Sequence, residues 1–183
     1  MSEKPILFSG EMVRAILEGR KTMTRRVVKP QPEQDTDCPY HVGAGIERKA
    51  RICPYGKPGD RLWVKETMWE CIDNNDKVRY VADGPIPIVG NRRYKKKPSL
   101  FMSRSESRLT LEVVNVRVER VQDITEGDAE KEGTTPYTAP AELPAYKPAF
   151  ADLWDRINEK RGFGWDKNPW VWVIEFKPLT LNK

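Results

Sequence analysis

The most constraining feature of the sequence is a long alternation of apolar and polar residues at 108–121. One parity of this segment carries Leu109, Leu111 and Val113, whereas the other carries Val114, Val116 and Val118. Because successive side chains of a strand point to opposite faces, the change of parity predicts a bulge or bend near 113–115. A small closed barrel needs long, strongly bent strands, so the pattern favours a small bent β-barrel.

Three further segments predict strands. Residues 169–177 are almost wholly apolar, which predicts a central strand buried on both faces. Residues 61–66 alternate between an apolar face and an aromatic-cationic face, as in a half-buried strand. Short apolar runs at 5–8 and 78–81 predict two more strands.

Helix signals lie between these strands, so the predicted fold class is α+β. Apolar residues at helical spacing predict a helix over 10–18 with Ser9 as its N-cap. A short acidic helix is predicted to begin after the N-cap Thr125 and to end at Gly133. A third helix is predicted to start near residue 148.

The length of 183 residues favours a single domain spanning 1–183. Segments 30–57, 83–107 and 134–148 are rich in proline, glycine and charged residues without a regular period, so we expect long loop insertions there. The net charge of +5 favours an anionic partner such as a nucleotide or RNA. Three cysteines at irregular spacing, without a signal peptide or a membrane-length apolar run, predict a cytoplasmic protein that does not associate with membranes.

A cluster of cations and hydroxyls follows the first predicted helix. The six positions 21–26 hold three cations, Lys21, Arg25 and Arg26, and two threonines, of which Thr24 is the second. A lysine that loses its proton in a dry pocket acts as a base, and a neighbouring hydroxyl then becomes a nucleophile. The alternative is a solvated basic turn.

Two other groups of residues carry weaker signals. Cys38, His41 and the distant Cys53 lack the doubled spacing of a zinc site, so we expect neither a metal nor a cofactor. A basic run interrupted by a tyrosine matches the cations and stacking ring that hold single-stranded RNA, with a solvated loop as the alternative. Its cations are Arg92, Arg93, Lys95, Lys96 and Lys97.

Four blocks of the chain, taken together, resemble the ASCH domain, a branch of the PUA-like superfamily. They are GRKTMTR at 19–25, PGDRLWVKE at 58–66, ITEGDAEKEG at 124–133 and WVIEFK at 172–177. The resemblance implies a small bent β-barrel flanked by helices, and it leaves the three insertions unmatched. The more similar relatives are larger ASCH proteins of phages and prophages.

The resemblance also implies an activity. One kind of small bacterial ASCH enzyme is an N4-acetylcytidine amidohydrolase. The Lys, Thr and Glu to which its activity is assigned match Lys21, Thr24 and Glu132. Thr24 would attack the acyl carbonyl or orient a water, Lys21 would take the proton, and Glu132 would position Lys21 or serve the leaving amine. Arg26 or backbone N–H groups would hold the oxyanion.

Substrate recognition is expected from Trp63, stacked on the pyrimidine, and Glu66, reading its polar edge. The expected partner is a modified cytidine nucleoside or nucleotide. Two alternatives remain at this point: an RNA-binding module or ribonuclease that takes single-stranded RNA in the same cleft, and an accessory protein whose pocket senses a ligand.

Overall fold

The computed structural model describes residues 2–32, 53–73, 79–85, 93–138 and 143–181. It confirms the α+β class, with eight strands and three α-helices in the described residues. The strands are β1 Glu3–Leu7, β2 Met23–Val27, β3 Arg61–Lys65, β4 Met68–Cys71, β5 Arg79–Tyr80, β6 Tyr94–Lys97, β7 Leu109–Arg120 and β8 Trp170–Leu181. The helices are α1 Gly10–Leu17, α2 Glu126–Lys131 and α3 Tyr146–Asn158.

Five strands form the main sheet in the order β1-β3-β7-β8-β2. The long β7 and β8 pair antiparallel at its centre, and the register of β7 shifts between Val113 and Asn115, as the change of parity predicted. A second shift, between Thr110 and Leu111, adds to the bend. Val171, Trp172, Val173 and Ile174 of β8 are all buried, which confirms a strand covered on both faces.

The expected barrel is not closed in the described residues. At the open edge, β1 pairs with β3 alone and β2 with β8 alone. Side chains occupy the gap instead, because the Arg26 guanidinium lies 5.2 Å from the Phe8 ring centroid and donates to the Leu7 carbonyl at 2.6 Å. The architecture is therefore a bent open sheet whose two edges are connected through an arginine.

Helices cover this sheet from two sides. On one side, α1 buries Val13 and Ile16 in the larger hydrophobic core. Its first turn is capped as predicted, since the Ser9 hydroxyl accepts from the Met12 amide at 3.3 Å. On the other side, α2 and α3 pack against β2 and β8 in a second core that includes Phe150. None of the described helices has the length and apolarity needed to cross a membrane.

The segments expected to be loop insertions contain regular structure where they are described. Within 83–107, β6 pairs with β4 in a three-stranded sheet of order β5-β4-β6, which corrects the expectation of a loop. Within 134–148, Tyr137 and Ala145 form a β-bridge, and α3 begins at Tyr146. Within 30–57, residues 33–52 lie outside the described residues, and Cys53 is buried in the larger core.

Candidate active site

A cavity of about 580 Å³ lies between β2, α3 and the turn that follows α3. Three of the residues singled out in the sequence line it: Thr24, Arg26 and Glu132. Aromatic rings supply much of the remaining wall, namely Tyr55, Phe150, Trp154, Phe163 and Trp172. The volume falls within the range typical of small-molecule sites.

Lys21 and Glu132 form a buried ion pair behind this wall. The Lys21 Nζ atom donates to Glu132 Oε2 at 2.7 Å and to the Glu132 carbonyl at 2.8 Å. The lysine is 1% exposed and the glutamate 4% exposed. Since Glu132 also lines the cavity, its carboxylate connects the buried lysine with the space where a substrate would lie.

Burial sets the charge state of Lys21. Desolvation lowers the pKa of Lys21, and the positive charges of Arg25 and Arg26 act in the same direction. The Glu132 carboxylate opposes this by favouring the protonated amine. The net direction is downward, which is the direction that brings a lysine closer to acting as a base at neutral pH.

Arg25 holds the other oxygen of Glu132. Its Nη1 atom lies 3.3 Å from Glu132 Oε1, and its Nη2 atom lies 3.0 Å from Asp128 Oδ2. A third carboxylate, Glu119 of β7, also pairs with the same guanidinium. With both oxygens occupied, the Glu132 carboxylate is fixed in orientation between a lysine and an arginine.

Sequence reasoning missed this role of Arg25, whose side chain is fully buried. The network continues from Asp128 to Arg117, whose Nη2 atom lies 2.6 Å away, and on to Glu175. A usable signal was present: Thr24 and Arg26 share one face of β2, so Arg25 must face the opposite side, towards α2. Thr125 caps α2 through the Asp128 amide and thereby places Asp128 on that side.

Thr24 lies on β2 opposite Ile174 of β8 and is 3% exposed. Its side chain makes no hydrogen bond within the part of the chain that the structure describes, although it lines the cavity. A hydroxyl without an internal partner is available to a substrate or a water. Thr24 and Glu132 therefore meet at one cavity, and Lys21 reaches that cavity through Glu132.

Arg26 brings an unpaired positive charge to the cavity. Its guanidinium lies near the rings of Phe8 and Tyr55, at 5.2 Å and 5.9 Å from their centroids. No carboxylate among the described residues pairs with it, and its buried Nε atom has no hydrogen-bond partner. Burial lowers the pKa of Arg26, which remains a strong cation at neutral pH because arginine starts so high.

Gly133 makes the close approach of Lys21 to α2 possible. The residue has φ +77°, and a Cβ atom there would lie 2.8 Å from Lys21 Cβ and 2.9 Å from Ala15 Cβ. Both distances are shorter than real contacts allow, so a side chain at this position would displace the lysine. The glycine predicted to end the acidic helix therefore also creates space for the ion pair.

Trp63 and Glu66 do not line this cavity. Leu62 and Val64 take the core positions of β3, so Trp63 lies on the opposite face, with the Lys65 amine 5.3 Å from its ring. Glu66 is buried elsewhere, where Arg108 donates to its two oxygens at 2.9 Å and 3.1 Å. The structure thus separates both expected substrate contacts from Thr24 and Glu132.

The basic run is divided between paired and exposed cations. Arg93 pairs with Asp73 at 3.0 Å and Lys97 with Glu106 at 2.7 Å, whereas Lys95 and Lys96 are exposed on β6. Arg92 lies outside the described residues.

The three residues considered for metal binding are not brought together in the structure as described. Cys38 and His41 lie outside the described residues, and Cys53 is buried in the core. Among the residues that are described, no group of three or more His, Cys, Asp or Glu side chains is arranged to hold a metal ion.

Comparisons with known proteins give two solved structures similar to this chain. A DUF984-family protein from Enterococcus faecalis matches with a TM-score of 0.49 and 10% identity, over 100% of this chain and 83% of that one. An ASCH domain from Lactobacillus crispatus matches with a TM-score of 0.45 and 15% identity, over 97% of this chain and 79% of that one. No family model and no curated protein matches the sequence.

Proposed function

We propose that the chain is an amidohydrolase that removes the acyl group from N4-acylated cytidine or a related modified nucleoside. One observation carries the proposal: the buried Lys21–Glu132 pair opens onto a cavity that also contains a free hydroxyl, Thr24, and an unpaired cation, Arg26. Amide cleavage needs a nucleophile, a proton acceptor and a group that stabilises the oxyanion. These residues supply all three.

Proton transfer in this mechanism passes through Glu132. The Thr24 hydroxyl attacks the acyl carbonyl, and its proton passes to the Glu132–Lys21 pair, whose lysine has a pKa lowered by burial. When the tetrahedral intermediate collapses, the bond to the exocyclic nitrogen breaks and that nitrogen takes the proton. Water then hydrolyses the acyl-threonine ester, which releases a carboxylic acid and restores the hydroxyl.

Arg26 is the source of oxyanion stabilisation. Its Nε–H has no internal acceptor, so no existing hydrogen bond has to break when a negative oxygen forms beside it. The Phe8 and Tyr55 rings pack against the guanidinium, at 5.2 Å and 5.9 Å from their centroids. Negative charge that develops on the acyl oxygen is therefore stabilised more strongly than the neutral carbonyl of the substrate.

The remaining cavity wall suits a planar base. Phe150, Trp154 and Phe163 present aromatic surface to a space of about 580 Å³. Stacking on such rings is tolerant of base identity, and an aromatic wall excludes water from the reacting amide. In this proposal these rings take over the stacking role first expected of Trp63.

The test is hydrolysis of a panel of N4-acylcytidines by the purified protein, followed by chromatography of the released cytidine. Thr24→Val and Glu132→Gln preserve shape, and we expect each to lower kcat/KM by about 100-fold or more. Thr22→Val is the matched control, since Thr22 belongs to the same motif but does not line the cavity. Failure of the folded wild-type protein to turn over any substrate of the panel would overturn the proposal.

Mass spectrometry separates the two roles open to Thr24. A rapidly quenched reaction is expected to contain protein heavier by one acyl group, with the mass on the peptide that includes Thr24. If turnover occurs and the acyl group never appears on the protein, Thr24 orients an attacking water instead.

A further inference from the structure

The rim of the cavity carries positive charge that the amidohydrolase reaction does not use. Lys29 and Arg161 both line the cavity and are exposed, and neither forms an ion pair with another described residue. The only carboxylate in the described lining is Glu132, which is already bonded to Lys21 and Arg25. Lys29 and Arg161 therefore have no ion-pair partner among the described residues that line the cavity.

Two of these cations repel each other. The positive charge of Arg161 contributes to lowering the pKa of Arg26, after burial as the larger cause. Tyr55 and Glu132 act on the pKa of Arg26 in the opposite direction. An anion bound between Arg26 and Arg161 would relieve the repulsion between these two like charges. Arg26 also lines this cavity, and its buried Nε atom has no hydrogen-bond partner.

The backbone that follows Arg161 is held in place by hydrogen bonds. Gly162, with φ +80°, turns the chain between Arg161 and Phe163. The turn is held on both sides, because the Phe163 amide donates to the Asn158 carbonyl at 3.1 Å and the Trp154 indole donates to the Phe163 carbonyl at 2.8 Å.

Lys29 approaches the same turn from the end of β2. Its amine lies 5.2 Å from the Phe163 ring centroid, so the lysine rests against the turn that presents Arg161. The preceding residue is fixed by a 3.0 Å hydrogen bond from the Val28 amide to the Trp170 carbonyl. Lys29 therefore lies against the ring of Phe163, two residues beyond Arg161, and both cations line the same cavity.

We infer that Lys29 and Arg161 form a phosphate subsite, so that the substrate is a nucleotide 5′-monophosphate. The inference rests on the proposed function for the identity of the base. A monophosphate fits better than RNA because both cations line a single cavity of about 580 Å³, which has the size of a site for one nucleotide. Arginine and lysine are the residues that bind phosphate oxygens with charge-assisted hydrogen bonds.

The experiment compares ligands that differ by the phosphate. Isothermal titration calorimetry with cytidine 5′-monophosphate and with cytidine is expected to give at least about tenfold tighter binding of the monophosphate at low salt, in line with a charge-assisted contact. Lys29→Ala and Arg161→Ala are each expected to remove most of that difference. Lys160→Ala is the matched control, since Lys160 is exposed beside Arg161 but does not line the cavity.

The outcomes separate this inference from the proposed function. Equal binding of the two ligands, or binding of neither, overturns the phosphate subsite even if N4-acetylcytidine is hydrolysed. A phosphate preference that depends on Lys29 and Arg161, without any hydrolysis, supports the subsite and overturns the amidohydrolase. A cytidine-containing RNA oligonucleotide that binds more tightly than the monophosphate overturns the assignment of a single nucleotide.

Discussion

Lys21 and Glu132 lie 111 residues apart in the chain and are joined both by a backbone β-bridge and by an ammonium–carboxylate contact of 2.7 Å. A further backbone bond, from the Thr22 amide to the Lys131 carbonyl at 2.9 Å, fastens the end of α2 to the same segment. The two side chains therefore meet because their backbones are paired. This arrangement fixes the positions of the two side chains relative to each other in the absence of any ligand.

The first prediction is that Lys21→Met destabilises the fold by about 3 kcal/mol, because it leaves the buried Glu132 carboxylate without one of its two partners. The double variant Lys21→Met with Glu132→Leu is expected to be more stable than the sum of the single variants predicts. Urea unfolding followed by circular dichroism measures both. Lys131→Met, an exposed change nearby, is the control and should cost less than about 0.5 kcal/mol.

The pH dependence of the same variant has a definite sign. Burial lowers the pKa of Lys21 below its ordinary value of 10.5, so the unfolded chain binds more protons there than the folded one. The contribution of Lys21 to stability is thus greatest above pH 10.5 and is lost as the pH falls through the folded-state pKa. The stability of the wild type relative to Lys21→Met should therefore rise with alkaline pH, and a flat difference would contradict the buried amine.

The second prediction concerns Gly133→Ala, which places a methyl group 2.8 Å from Lys21 Cβ and 2.9 Å from Ala15 Cβ. We expect a loss of about 2–4 kcal/mol, from overpacking added to the left-handed backbone. Gly19→Ala isolates the backbone part, because Gly19 has φ +75° and nothing within 4 Å of an added Cβ atom. Equal losses in the two variants would mean that the space beside Lys21 is not needed.

The sequence was most informative where the signal was local. The change of parity within β7 predicted its bulge, and the apolar run predicted the doubly buried β8. Local patterns could not predict whether the barrel closes, because pairing of β1 with β2 depends on the side chains that lie between the two strands. Phe8 and Arg26 fill that space, and neither belongs to a periodic pattern.

The same difference between local and long-range signals applies to the candidate site. Lys21, Thr24 and Glu132 were found through a resemblance, since no spacing rule connects residues so far apart in the chain. Alternation along β3 did place Trp63 away from the core. It gave no information on which face of the sheet would carry the cavity, and the structure places Trp63 outside the cavity lining.

The third prediction uses Asp60, whose side chain ties the first described residue to the turn before β3. The Ser2 amide donates to Asp60 Oδ1 at 2.8 Å and the Lys57 amide to Oδ2 at 3.2 Å, and these bonds lower the pKa of Asp60 from 3.8 to about 2. Stability from this carboxylate is therefore present above pH 3.8 and is lost as the pH falls through about 2. In acid denaturation, Asp60→Asn should lose less stability than the wild type over this interval, whereas Asp166→Asn, an exposed control, should follow the wild type.

The fourth prediction concerns Glu66, which the structure assigns to a buried pair with Arg108. Burial raises the pKa of Glu66 above 4.5. At neutral pH the ionised carboxylate therefore needs the positive charge of Arg108 to offset the cost of its burial. Arg108→Met is expected to cost about 3 kcal/mol at pH 7 and less at about pH 4, where Glu66 takes up a proton. Arg104→Met removes the exposed pair with Glu3 and should cost at most about 1 kcal/mol at either pH.

The last prediction addresses the basic run on β6. If single-stranded RNA binds this protein through the described part of the run, we expect Lys95 and Lys96 to carry the contact, because Arg93 and Lys97 are paired with Asp73 and Glu106. The Trp69 ring, 5.9 Å from the Lys96 amine, lies beside them as a surface for a base. Among its described residues, the run therefore contributes two exposed cations without an ion-pair partner, which lie beside this ring on the small sheet.

We expect a variant carrying Lys95→Ala and Lys96→Ala to reduce the slope of log affinity against log salt by about 0.7 for each phosphate that is no longer neutralised. Fluorescence anisotropy with a labelled oligonucleotide measures that slope. Lys97→Ala is the control and should change it less, since the Lys97 amine is bonded to Glu106 at 2.7 Å. Binding that does not respond to salt, or no binding at low salt, would rule out the run as an RNA contact.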